Sequence, residues 1–134
     1  MPNANILQHK HDLDGFTVDK KTATIANAGT ISNAIDLEGY QLAALIMPAA
    51  WTASGGITFL ASDTLDGTYG PVYDDTGTEV KVTAASGGAA GTRIPIVQNA
   101  VALASLRFIK LRSGVAGTEV AQGAERIITL SLKR

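Results

Sequence analysis

A chain of 134 residues can build one hydrophobic core but not two, so a single domain is expected. Charged residues make up 17% and nearly cancel to a net charge of −1, which leaves no field to gather nucleic acid or an anionic membrane surface. The lack of cysteine excludes disulfides, thiolate metal sites and thiol chemistry, and three Phe, three Tyr and one Trp give little surface for stacking on bases.

The first residues, Met1-Pro2-Asn3-Ala4-Asn5, carry no basic start followed by an apolar run, and no stretch reaches the roughly 18 apolar residues that span a bilayer. Synthesis in the cytosol without membrane association is expected. Residues 1–20 collect His9, Lys10, His11, Asp12, Asp14, Asp19 and Lys20 among isolated Ile6, Leu7, Leu13, Phe16 and Val18, with no sustained period. This composition predicts an extended N-terminal arm ahead of a body spanning 21–134.

Residues 22–26 read as a strand, and Asn27-Ala28-Gly29-Thr30 as a turn, because Asn and Gly tolerate the positive φ that a reversal needs. Residues 31–37 alternate too irregularly to assign a face. The strongest apolar run, 41–47, lies between Gly39 and Pro48, and its length predicts a central strand buried on both faces. In 56–62, Ile57 and Phe59 share one face, Thr58 and Leu60 the other.

Pro71 interrupts a short strand at 69–73; it removes a ladder donor and so marks a sheet edge. Residues 78–83 alternate Val80 and Val82 inward against Glu79, Lys81 and Thr83 outward, and the 74–77 segment, Asp-Asp-Thr-Gly, forms the hairpin tip. The Gly-rich stretch 84–92 predicts a loop, 93–97 a strand, and 98–105 a helical turn or loop. In 106–112, Ile109 and Leu111 point inward against Lys110 and Arg112; residues 113–118 read as a loop; and 126–132 alternates Ile128, Leu130 and Leu132 with Thr129 and Ser131.

About eight short strands at regular spacing, with Gly-containing turns and no helical period, predict an all-β fold: an antiparallel β-sandwich or jelly roll. The candidate chemistry is sparse. His9 and His11 would share a strand face, but the arm offers no frame for tetrahedral ligation, so no metal or other cofactor is expected. A Ser-His-Asp triad would need the arm folded back beside Ser54, Ser62, Ser86 or Ser105, and no Gly-x-Ser-x-Gly elbow is present. The carboxylates Asp63, Asp66, Asp74, Asp75 and Glu79 suggest a glycosidase pair or a calcium cage, but the stronger reading is structural, with Asp66-Gly67 as turn chemistry and 74–77 as the hairpin cap; neither Gly55-Gly56 nor Gly87-Gly88 leads into a phosphate-binding helix. Trp51 reads first as a lid over the open end of the sandwich; the alternative is a carbohydrate cleft, for which Trp51, Tyr69 and Tyr73 are the one aromatic set available.

Several segments together carry a resemblance. These are Ile35-Asp36-Leu37-Glu38-Gly39-Tyr40, Met47-Pro48-Ala49-Ala50-Trp51-Thr52, Thr58-Phe59-Leu60-Ala61-Ser62-Asp63, Gly67-Thr68-Tyr69, Val72-Tyr73-Asp74-Asp75-Thr76-Gly77-Thr78-Glu79-Val80 and Phe108-Ile109-Lys110-Leu111-Arg112-Ser113-Gly114. Residues 22–134 thereby resemble small structural proteins encoded in the virion modules of tailed bacteriophages. The resemblance implies a non-enzymatic virion component, foremost a capsid decoration (cement) protein, and offers no catalytic residues. The implied partners are the major capsid protein or other virion proteins; the residues of the arm, which lies outside the resemblance, add the expectation of a symmetric homo-oligomer, with a trimer favoured and Ile6, Leu7, Leu13, Phe16 and Val18 as apolar anchors. The alternatives are a tail, neck or head-spike component, or a carbohydrate-binding module for host attachment centred on Trp51, Tyr69 and Tyr73.

Overall fold

The computed structural model describes residues 18–52, 56–83, 93–97, 103 and 105–134. The elements assigned among them are all strands: β1 (Val18–Ile25), β2 (Ile35–Asp36), β3 (Gln41–Ile46), β4 (Ile57–Ser62), β5 (Gly70–Pro71), β6 (Lys81–Val82), β7 (Phe108–Val115), β8 (Thr118–Glu119) and β9 (Arg126–Lys133). Every pairing is antiparallel. Sheet A has the order β1-β9-β3; sheet B has the order β2-β7-β4-β5, with β6 also on β4 and β8 on β7.

The two sheets stack as a β-sandwich because each strand presents alternate apolar residues to the other sheet. From sheet A come Ala23, Ile25, Leu42, Leu45, Ile128, Leu130 and Leu132; from sheet B come Ile35, Ile57, Phe59, Val82, Ile109 and Leu111. Leu37, Met47, Val80, Val97 and Leu103 close the same core from the connections.

The run at 41–47 is a strand, but it is not the centre of its sheet; β9 is. Leu42 lies opposite Leu132 while Ala44 lies opposite Ser131, so β3 carries one extra residue and its phase changes there. Leu42 before the bulge and Leu45 and Met47 after it therefore all reach the core, while Ala44, itself buried, and Ile46 lie on the opposite face with Ser131 and Thr129. A bulged half-buried strand thus imitates the sequence pattern of a doubly buried one. The far edge of β3 is paired by 93–97, through Leu45 N–H to the Pro95 carbonyl (3.1 Å), Met47 N–H to Arg93 (2.8 Å) and Val97 N–H to Ala43 (2.9 Å).

Two other readings change. β1 starts at Val18, opposite Lys133, so Val18, Asp19 and Lys20 are sheet residues and not arm. The stretch 113–118 is no loop: β7 continues to Val115, turns at Ala116-Gly117, and returns as β8. Gly114 makes that return possible, since its φ is 93° and a Cβ there would stand 2.5 Å from the Thr118 carbonyl oxygen. Residues 31–37 contribute only the short β2 and a bridge from Ile31 to Arg112. The loop expected at 84–92, and most of 98–105, lie outside the described residues.

The edge expected from Pro71 is present, for β5 pairs with β4 alone. Between β5 and β6 the chain leaves the sheet as a hairpin in which Tyr73 bridges Glu79. Asp74 shapes its tip: Oδ1 accepts from Thr76 N–H (2.9 Å), Thr76 Oγ1 (2.6 Å) and Thr78 N–H (3.0 Å), and Gly77 takes a φ of 84°.

Candidate functional site

The buried polar groups of the described residues are spent on holding loops to the sandwich. Arg112 sits on the polar face of β7 yet is only 5% exposed, which corrects the outward, solvated position that alternation predicts. Its guanidinium pairs with Glu79 from the 70–82 hairpin and donates through Nε to Thr58 Oγ1 (3.0 Å). Thr58 Oγ1 in turn donates to the Gly114 carbonyl (2.7 Å), and Glu79 Oε1 accepts from Ala116 N–H (3.1 Å). Glu79, expected to face water, is therefore the partner that clamps the hairpin onto the outer face of sheet B.

A second network centres on Gln122, 1% exposed, which the sequence reading did not single out. Its Nε2 donates to Ser113 Oγ (2.8 Å) and to the Thr52 carbonyl (3.3 Å). Its Oε1 accepts from Thr52 N–H (3.0 Å) and Arg126 Nε (3.2 Å). Its backbone bonds Ala28 and Gly29, so one amide ties together the 28–29 turn, the chain after β3, β7 and the start of β9. A glutamine in a loop between Ala121 and Gly123 carries no local sign of this role.

That clamp also fixes Trp51, whose ring packs against the core and whose Nε1 is buried without a hydrogen-bond partner among the described residues. Tyr69 stands elsewhere. Thr52 reaches the Ser113 end of β4, where Ile57 pairs with Ser113, whereas Tyr69 precedes Gly70, which pairs with Ala61. Four residues of strand separate those positions, roughly 13 Å. The Tyr69 ring lies under Lys110 Nζ, 4.3 Å from its centroid, and its hydroxyl donates to the Leu65 carbonyl (2.8 Å). Burial, and then the charge of Asp66, hold the phenol above its ordinary pKa. Tyr73 is half-exposed on the hairpin. The three aromatics do not gather into one cleft.

At the other end of the sandwich Asp36 accepts from Arg107 Nε (3.2 Å) and Nη2 (3.3 Å), and Lys21 Nζ bridges the sheets to Glu38 and the Asp36 carbonyl (both 2.6 Å). The Arg107 hydrogen bond is the main reason the Asp36 carboxyl titrates below its ordinary range. Asp74 is lowered chiefly by the Thr76 hydroxyl. Ser62, Asp63, Ser105 and Arg107 line a pocket of about 250 Å³, but Ser62 Oγ accepts from Thr64 N–H (3.2 Å) and no histidine is among the described residues. No group of three or more metal-ligating side chains occurs among the described residues, and no helix there is long and apolar enough to cross a membrane. His9, His11, Ser54, Ser86 and the arm residues Ile6, Leu7, Leu13 and Phe16 lie outside the described residues, and of Val18 only the backbone is described.

The outer face of sheet A carries none of the side chains of these networks. Its rows follow from the register: Thr22, Thr129 and Ile46, with Ile94 beyond, then Lys20, Ser131 and Ala44, with Ile96 beyond. Thr24 and Ile127 form the next row toward the Glu125 end. Ile94, Ile96 and Ile127 are 60%, 68% and 50% exposed. Apart from Lys20, which shares its row with Ser131, Ala44 and Ile96, these rows carry Ile, Ala, Thr and Ser. No protein-family model matches the chain, and no curated protein matches it in sequence.

Proposed function

We propose that the protein is a non-enzymatic structural component of a tailed-bacteriophage virion, a capsid decoration protein that binds the major capsid protein and associates with its own copies. The observation that carries this reading is the division of labour in the sandwich: its buried polar groups lock connections in place, while a sheet face of exposed Ile among Thr and Ser, with Lys20 as its one charge between Lys133 and Glu125, is presented outward. A module built to be packed against needs such a face and a rigid frame behind it. The resemblance of residues 22–134 to virion-module proteins supplies the setting.

Immunogold electron microscopy of purified particles of the phage encoding the chain tests it. Label over the head shell is expected; label confined to neck or tail would move the protein within the virion, and unlabelled particles would refute a virion role. The arm is tested separately by deleting residues 1–17, a cut that leaves every residue of β1 in place. The truncated protein should fold and fail to occupy the capsid, and full occupancy would refute arm anchoring.

A further inference from the structure

We infer that the outer face of sheet A is the surface through which two copies of the chain pair, face to face, about a twofold axis lying across the strands. The inference rests on the self-association included in the reading above and names its surface. Four features of the face support it.

The apolar residues lie together although they come from three separate segments: Ile46 on β3, Ile94 and Ile96 beside it, and Ile127 on β9. With strands about 4.8 Å apart and about 3.3 Å of rise per residue, four paired segments present roughly 450 Å² per copy. Pairing two such faces removes about 900 Å² from water, below the roughly 1,200 Å² of a stable specific interface and in the range of weak, reversible ones. A twofold pair is isologous, so the patch must complement itself, and a face of Ile against Thr, Ser and Ala brings no like charges together at its centre.

Charge at the ends then selects the axis. Lys20, in the Ser131 row, and Lys133, one row beyond it, lie toward one end of the face, and Glu125, exposed and just before β9 in the alternating phase of Ile127 and Thr129, lies at the other. An axis along the strands would set lysine over lysine. An axis across the strands sets the Lys20 end of each copy over the Glu125 end of the other, twice per dimer. Packed this way, the two sheets meet as sandwich layers do, with Ile side chains between them.

Sedimentation equilibrium of the full chain, read from about 10 µM to about 1 mM, tests the pairing, with the circular dichroism spectrum as the check on folding. A monomer–dimer equilibrium is expected, weakened at least about tenfold by Ile96→Lys and by Ile94→Lys, both at positions exposed enough to accept lysine without cost to the core. Lys20→Glu and Glu125→Lys should each weaken dimerisation about threefold to tenfold alone, and mixing the two variants should restore it, since both cross-contacts are then opposite in sign. A chain that stays monomeric to about 1 mM overturns self-association altogether. Dimers indifferent to both isoleucine changes overturn this face and leave self-association standing. A trimer, or no rescue on mixing, overturns the twofold axis. A monomeric full chain whose 18–134 fragment dimerises shows that residues 1–17 cover the face, and overturns the second copy as its occupant in the full chain.

Discussion

Arg112→Met is the most informative single change, because the ion pair it breaks joins β7 to a hairpin 33 residues earlier in the chain. The side chains of Arg112 and Glu79 are only 7% and 13% exposed, so water cannot take over the bonds that are lost. Removing one partner of a buried pair costs about 3–5 kcal/mol, mainly because the other charge is left behind. Here the stranded Glu79 carboxylate keeps Ala116 N–H and a little solvent, which sets the expected loss near the lower end, about 3 kcal/mol, or about 10 °C in Tm. Urea unfolding of the wild type, Arg112→Met, Glu79→Leu and the double variant forms a cycle that isolates the pair. The double variant should be more stable than the sum of the single losses predicts, since an apolar pair of similar volume leaves no charge uncompensated. A loss under about 1 kcal/mol for Arg112→Met, or strict additivity in the cycle, would refute the claim that this pair clamps the hairpin.

Three further changes address other parts of the frame. Gln122→Leu keeps the volume but strips partners from Thr52, Ser113 and Arg126, and should cost about 3 kcal/mol in urea unfolding; a loss below about 1 kcal/mol would show the network to be dispensable. Gly114→Ala forces both an unfavourable φ and a carbonyl contact, so a fall of at least about 2 kcal/mol is expected, and wild-type thermal stability would refute the turn geometry. Asp36 binds its proton less tightly folded than unfolded, so its stabilisation is present above the unfolded pKa, about 4, and is lost as pH falls through and below that value. Asp36→Asn should therefore flatten the acid limb of stability against pH, measured by urea midpoints from about pH 2.5 to 7, and an unchanged slope below about pH 4 would contradict the Arg107 contact.

The placement of Trp51 also changes how its substitution must be read. Trp51→Ala removes a ring packed on the core, so lost binding in that variant would accompany lost stability of about 3 kcal/mol.

What could be read in the sequence was whatever is encoded within a few residues. Ile128, Leu130 and Leu132 alternate because β9 has one face in the core; Pro71 marks an edge by its missing donor; Asp74 and Gly77 fold a hairpin tip by their own side chain and φ. The candidate site was less legible, since Trp51, Tyr69 and Tyr73 suggested a cleft only because nothing in the sequence tells how far apart β4 holds them. The bulge at Ala43 could not be seen, because an apolar run looks the same whether two faces are buried or one face is buried on both sides of a phase change.

The sequence by itself determined the all-β class, the turns and the sheet edge, as these follow from backbone preference and period. Tertiary structure alone decided that Arg112 is buried, that Gln122 is a clamp, and that Ile46, Ile94 and Ile127 lie on one sheet face. Each of these depends on which strands lie side by side, and that is settled by pairing between segments tens of residues apart, where local pattern carries no register.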